Sequence, residues 1–120
     1  MPSRKIALRV LSGILVLSLI GRLNAHAVLL SATPAGQQVL HTSDVVVKLR
    51  FNSRIDGKRS RLLLIGSDGT QTTLPIEVQH SPDTLTSRAT GVKKDFYVIR
   101  WQVLANDGHV TRGEVPFQVQ

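Results

Sequence analysis

The sequence predicts an all-β domain, either a β-sandwich or a partly closed Greek-key barrel. Apolar and polar residues alternate through Val45–Asn52, Tyr97–Val103 and Glu114–Gln120, which is the period-two pattern of half-buried strands. Glycine and proline interrupt the chain at short intervals between these runs. No useful window after residue 25 shows a helical repeat of apolar residues. Short strands separated by frequent turn signals are typical of these two architectures.

Two hairpins are predicted within this domain. Arg61–Ile65 and Gln71–Val78 flank Gly66–Thr70, which contains the Asp-Gly pair favoured in tight turns. Nearer the C-terminus, strands at Phe96–Leu104 and Val110–Val119 are joined by a short polar segment. Trp101, on the first of these strands, is expected in the core, because buried aromatic side chains dominate the packing of small domains.

Residues 1–25 have the layout of a cleaved secretory signal peptide. Arg4, Lys5 and Arg9 form a positive n-region, followed by an apolar run over residues 10–20. Arg22 ends this run before it reaches the ~20 apolar residues that a membrane-spanning helix needs. We therefore expect export to the periplasm and a mature domain of residues 26–120.

Two cleavage positions remain open. Cleavage after Ala25 would make His26 the first residue of the mature protein, with a free α-amine. Ala25-His26-Ala27 is the better match to an A-x-A site, and cleavage after Ala27 would remove the histidine.

Charge and cysteine content exclude several function classes. After removal of residues 1–25, eleven basic and eight acidic residues remain, so the formal net charge falls from +7 to +3. The basicity of the whole chain thus belongs largely to the signal peptide, and no nucleic-acid partner is predicted. The absence of cysteine excludes disulfides, thiolate zinc sites, iron–sulfur clusters and thiol redox chemistry.

A candidate metal site combines His26 with Asp107 and His109. The His26 α-amine and imidazole would close one chelate ring on a metal ion. Asp107 and His109 are two residues apart, and in extended backbone their side chains would leave the same face of a strand. Three nitrogens and one oxygen suit tetragonal copper(II), although zinc could use the same donors in a tetrahedral site.

Simpler interpretations exist for each of these residues. Asn106–His109 could be only a hairpin turn, because Asn, Asp and Gly tolerate positive φ. His41 and His80 lie in polar stretches and are expected to be solvated loop residues.

The residues also carry a family resemblance. The stretch His26–Gly36 resembles the mature start of the CopC copper-resistance family of bacterial periplasmic proteins. Val47–Asn52 fits the next block of that family, and Tyr97–Val103, followed by Asp107-Gly108-His109 and Gly113–Phe117, resembles its C-terminal signature. The similarity extends over essentially the whole mature chain.

This resemblance implies a single Greek-key domain of immunoglobulin-like, or cupredoxin-like, character. It implies a copper(II) site made by His26, Asp107 and His109 in a protein of copper storage, delivery or resistance rather than an enzyme. It also suggests a CopD-like inner-membrane copper transporter as a partner, and we expect the protein itself to be a monomer.

Two departures from the family pattern restrict what is carried over. Members with a second, copper(I) site have a methionine-rich loop, whereas Met1 is the only methionine here. Copper(I) needs soft sulfur ligands, so a copper(II)-only protein is predicted. Ser53 also occupies the position where many members carry a carboxylate, so no supporting role is assigned to that group.

Two other function classes remain open at this point. Copper held by an N-terminal histidine and a second histidine resembles the histidine brace of polysaccharide mono-oxygenases. The sequence offers no evident flat aromatic platform for a polymer, and an Asp107 ligand would occupy an equatorial position that oxygen chemistry needs open. A metal-free β-sandwich interaction module is the other alternative, and loss of His26 on cleavage would favour it.

Overall fold

Alternating strands form two sheets that enclose a common core. The computed structural model describes residues 26–120, so the predicted signal peptide lies outside the described residues. The eight strands are β1 (Leu29–Thr33), β2 (Gln38–Leu40), β3 (Val45–Phe51), β4 (Ile55–Gly66), β5 (Gln71–Leu74), β6 (Thr84–Ala89), β7 (Asp95–Ala105) and β8 (Val110–Val119). The described residues contain no helix long and apolar enough to cross a membrane.

The two sheets differ in size. One is three-stranded with the order β1-β3-β6, and the other is five-stranded with the order β2-β8-β7-β4-β5. All pairings are antiparallel except that of β2 with β8, which is parallel. This non-sequential strand order confirms the predicted all-β sandwich.

The core follows from the alternation in sequence. Val45, Val47, Leu49 and Phe51 of β3 are at most 1% exposed, while the residues between them face solvent. Phe51 meets Trp101 of β7 across the sandwich in an edge-to-face contact, with ring centroids 5.2 Å apart. Trp101 is 6% exposed, which confirms its predicted place in the core.

The strongly alternating segments were predicted well and the short edge strands were not. β8 has the predicted bounds, β3 ends one residue before the predicted Asn52, and the β4–β5 hairpin turns where the Asp-Gly pair indicated. β5 ends at Leu74 rather than at Val78, because Pro75 has no N–H to donate to a ladder. β1, β2 and β6 were missed, since short edge strands lack a full apolar alternation.

A bulge in β4 was also missed. The pairing of β4 with β7 shifts register between Asp56 and Arg61, so residues 57–60 protrude from the ladder. The buried Ser60 hydroxyl donates to the Asp56 carbonyl at 2.6 Å and accepts the Leu104 N–H at 3.2 Å. The bond with Leu104 attaches the bulge to β7, the strand that leads into the Asn106–His109 segment.

Candidate metal centre

The chain just after His26 is held to the end of β3. Ala27 is 3% exposed and belongs to the core. The Val28 N–H donates to Asn52 Oδ1 at 2.8 Å, and the Asn52 N–H donates to the Val28 carbonyl at 3.0 Å. One buried side chain and two reciprocal hydrogen bonds therefore fix the direction in which His26 leaves the domain.

The Asn106–His109 segment is a tight turn between β7 and β8, whereas extended backbone was expected for Asp107 and His109. Gly108 has φ +85°, and its N–H donates to the Ala105 carbonyl at 3.0 Å. The Ala105 N–H in turn donates to the His109 carbonyl at 2.9 Å. The i, i+2 spacing predicted that Asp107 and His109 share one face of an extended strand. They do not, because Gly108 between them adopts a left-handed backbone conformation that residues with a side chain rarely take.

The turn nevertheless brings Asp107 and His109 together. Asp107 Oδ1 accepts the His109 backbone N–H at 3.0 Å, and Oδ2 lies 3.1 Å from His109 Nδ1. The hydrogen bond from the His109 backbone, followed by the contact with its imidazole, lowers the pKa of Asp107 below the ordinary value of 3.8. The carboxylate is therefore ionised at neutral pH and orients the imidazole so that Nε2 is directed away from it.

His26 lies against His109. Their ring centroids are 5.4 Å apart, with an interplanar angle of 74°. Both residues are exposed, and the His109 side chain keeps 54% of its surface accessible. The two imidazoles come from opposite ends of the sequence, and a ligand could approach both from solvent.

Within residues 26–120, no three His, Asp or Glu side chains already converge as a preformed metal site. Asp107 is occupied by its contacts with His109, and the fourth expected donor is a main-chain nitrogen. That nitrogen is an amide while His26 remains bonded to Ala25, and an amide is a far weaker ligand than a free amine. Cleavage after Ala25 would supply the free amine, and Asp107 Oδ2 would have to turn away from His109 Nδ1 to bind a metal ion.

The other two described histidines lie apart from this pair. His41, in the loop after β2, is exposed, as predicted for a solvated residue. His80 is also exposed in a loop, but it lines a groove that Asn106 and Gly108 line as well. This placement of His80 could not be predicted from the sequence, because it depends on the packing of the 75–83 segment.

Sequence reasoning missed the residues that support the turn and the N-terminus. Asn52 looked like an ordinary outward-facing position, and only its location after Phe51 at a strand end indicated a capping role.

Gly113 lies opposite Trp101 in the β7–β8 ladder, and a Cβ there would lie 2.2 Å from Trp101 Cζ2. Two buried polar atoms near this contact, Trp101 Nε1 and Thr111 Oγ1, have no hydrogen-bond partner among the described residues.

Comparison with known proteins identifies the family. A family model described as the CopC domain matches residues 29–120. The chain belongs to the CopC family. It is 29% identical to CopC from Methylosinus trichosporium OB3b, whose crystal structure superposes with a TM-score of 0.74 over 79% of this chain and 94% of that one.

A second solved structure shares the CopC fold at lower identity. PcoC from Escherichia coli, described as a methionine-rich copper resistance protein, is 20% identical and has a TM-score of 0.60, over 79% of this chain and 99% of PcoC. At this identity the likeness is one of fold. A search of curated protein sequences gave no significant match.

Proposed function

We propose that this CopC-family protein is a periplasmic copper(II) carrier that holds one ion with His26, Asp107 and His109. The observation that carries the proposal is the contact between the His26 and His109 imidazoles, with the Asp107 carboxylate 3.1 Å from His109. Two imidazoles, one carboxylate and the amine released by cleavage after Ala25 provide the nitrogen and oxygen donors that tetragonal copper(II) prefers. The role is storage, delivery or resistance, with copper as cargo.

The oxidation state follows from the donor types. PcoC is described as methionine-rich, whereas this chain has no methionine after Met1. The three candidate side chains offer imidazole and carboxylate groups, and soft thioether or thiolate ligands are missing from residues 26–120. Copper(II) is therefore the favoured cargo, and a copper(I) site is not expected.

A carrier role is preferred to catalysis for a geometric reason. A carboxylate ligand from Asp107 would take one of the equatorial positions that oxygen activation needs free. The protein would then bind and release the ion without chemistry on a further substrate. A CopD-like inner-membrane copper transporter is proposed as its partner, with the carrier acting as a monomer.

The deciding experiment is the intact mass of the exported protein, measured with and without one equivalent of copper(II). We expect the mass of a chain that begins at His26, and a single-copper adduct of that chain. A mass beginning at Val28 would mean that the chelating amine and the His26 imidazole are both lost, and it would contradict the proposed site. A protein that begins at His26 but forms no adduct would contradict copper binding itself.

Copper(II) affinity is expected to fall as the pH is lowered from about 8 to about 6. Protons compete with copper for the α-amine, whose ordinary pKa is about 8, and for the two imidazoles, because each of these ligands binds the ion only in its deprotonated form. The pKa of Asp107 is lowered from 3.8, so its carboxylate stays ionised through this range and loses its contacts only in stronger acid. Competition titrations against a copper(II) chelator at several pH values would measure the change.

The control for this pH series is a chain carrying one extra alanine before His26. In the extended chain the main-chain nitrogen of His26 is an amide instead of an amine. The component of the pH dependence near pH 8 should therefore disappear, together with most of the copper(II) affinity. A flat pH profile in the unextended protein would contradict ligation by the amine.

A further inference from the structure

Near the Asn106–His109 turn, which we call the copper-site turn, the basic residues are concentrated in one short segment. Four of the eleven basic residues of 26–120 lie between positions 54 and 61, with Asp56 as the only acid. We call this group the basic corner; it consists of Arg54, Lys58, Arg59 and Arg61. With Asp56 included, residues 54–61 carry a formal charge of +3, which equals the net charge of the entire 26–120 region.

Neighbouring acids compensate this charge weakly. All four side chains of the basic corner belong to exposed residues. Within the described chain, the one ion pair they make is between Arg59 and Asp56, at 3.8 Å, with side chains 76% and 43% exposed. Exposed pairs of this kind contribute little free energy. Most of the positive charge is therefore available to an external anion.

Side-chain hydrogen bonds from Asp56 and Gln79 hold the backbone beneath the basic corner. Asp56 Oδ1 accepts the N–H groups of Lys58 and Arg59 at 3.1 and 3.3 Å. Gln79 Oε1 accepts the Gly57 N–H at 3.0 Å, while Gln79 Nε2 donates to the Ile55 carbonyl at 3.0 Å. A preorganised surface loses less conformational entropy on binding than a flexible one.

A groove connects the basic corner to the copper-site turn. It has a volume of about 560 Å³, and its lining includes Arg54, Arg59, His80, Asn106 and Gly108. The Asn106 N–H donates to the Arg54 carbonyl at 3.0 Å, so the corner and the turn are in direct contact. Whatever occupies this groove lies next to Asp107 and His109.

We propose that the groove binds an acidic segment of another protein. Guanidinium groups recognise carboxylates through paired, charge-assisted hydrogen bonds, and Arg54 and Arg59 place two of them along one concave surface. An extended chain with Asp or Glu side chains can enter a groove, whereas a flat anionic membrane would meet only its rim. That this partner also takes the copper rests on the proposed function; the docking itself requires no metal.

The test measures binding of a fluorescein-labelled decapeptide of alternating aspartate and glycine to the metal-free chain that begins at His26. Fluorescence anisotropy should show binding at low ionic strength that weakens as salt is added. The double variant R54Q/R59Q should bind the peptide about fivefold or more weakly, because it removes two of the charges that line the groove. Melting temperatures would confirm that both proteins are folded.

The matched control is K93Q/K94Q. It removes the same charge at the opposite end of β7, roughly 33 Å away for an eleven-residue strand, so it should leave peptide binding nearly unchanged. Equal losses in the two variants would show a nonspecific charge effect and overturn the proposal. Binding to phosphatidylglycerol vesicles but not to the peptide would also overturn it, in favour of a membrane surface.

Copper loading separates this proposal from the proposed function. Failure of the wild-type protein to form a copper(II) adduct, with peptide binding still lost in R54Q/R59Q, would overturn the copper site and support the docking surface. A normal copper adduct with no peptide binding would support the copper site and overturn the docking surface.

Discussion

Replacement of His109 by alanine is expected to lower the copper(II) affinity about 100-fold or more. Loss of a group that supports a metal ligand typically costs 10–100-fold, and loss of a ligand should cost at least the upper end of that range. The variant also removes the imidazole that lies 5.4 Å from the His26 ring and the contact partner of Asp107 Oδ2. Competition titration against a copper(II) chelator would give the ratio of dissociation constants.

The control for this variant is His41→Ala. His41 is exposed in the loop after β2 and belongs to no described contact of the site, so its removal should leave the affinity close to that of the wild type. The His109 side chain is 54% exposed, and its loss should change the melting temperature of the metal-free protein little. Near-normal copper affinity in the His109 variant would remove the Asp107–His109 turn from the proposed site.

The largest effect on stability is expected from Gly113→Ala. A Cβ at position 113 would lie 2.2 Å from Trp101 Cζ2 and 2.5 Å from Cε2, so the indole would have to move within a packed core. Overpacking of this kind typically costs about 1–3 kcal/mol, and we expect the free energy of unfolding to fall by about 2–3 kcal/mol. Urea unfolding monitored by circular dichroism would measure it.

Gly36→Ala provides the matched control, because a Cβ there meets no atom within 4 Å. Its effect should lie within about 0.5 kcal/mol of zero. In a Trp101→Phe background, which lacks the atoms that clash, Gly113→Ala should cost less than it does alone. Equal costs for the two glycine substitutions would mean that the Trp101–Gly113 contact does not limit stability.

The strands that alternate fully between core and solvent were predictable from the sequence. β3 and β8 could be delimited to within one residue, because a sheet buried on one face imposes a period of two on side-chain polarity. The three short strands β1, β2 and β6 gave no such pattern. Their formation depends on pairing with neighbours, through β3 for β1 and β6 and through β8 for β2.

The candidate site shows the same division. His26, Asp107 and His109 could be chosen from the sequence because of their donor types and their resemblance to the CopC pattern. Their spacing suggested a shared strand face, whereas the structure places Asp107 and His109 on a turn with Gly108 at φ +85°. Local spacing could not distinguish these arrangements, because a glycine between the two residues is compatible with both.

Residue types and their local period were sufficient to predict the all-β class, the hairpin turns, the candidate donor residues and the exclusion of thiol chemistry. The contact of the His26 imidazole with His109, and the position of the basic corner beside the same turn, became visible in the folded domain. His26 and His109 are separated by 82 intervening residues. Their contact arises because Ala27 is buried in the core and Asn52 binds Val28, and these long-range interactions exist only once the two sheets have packed.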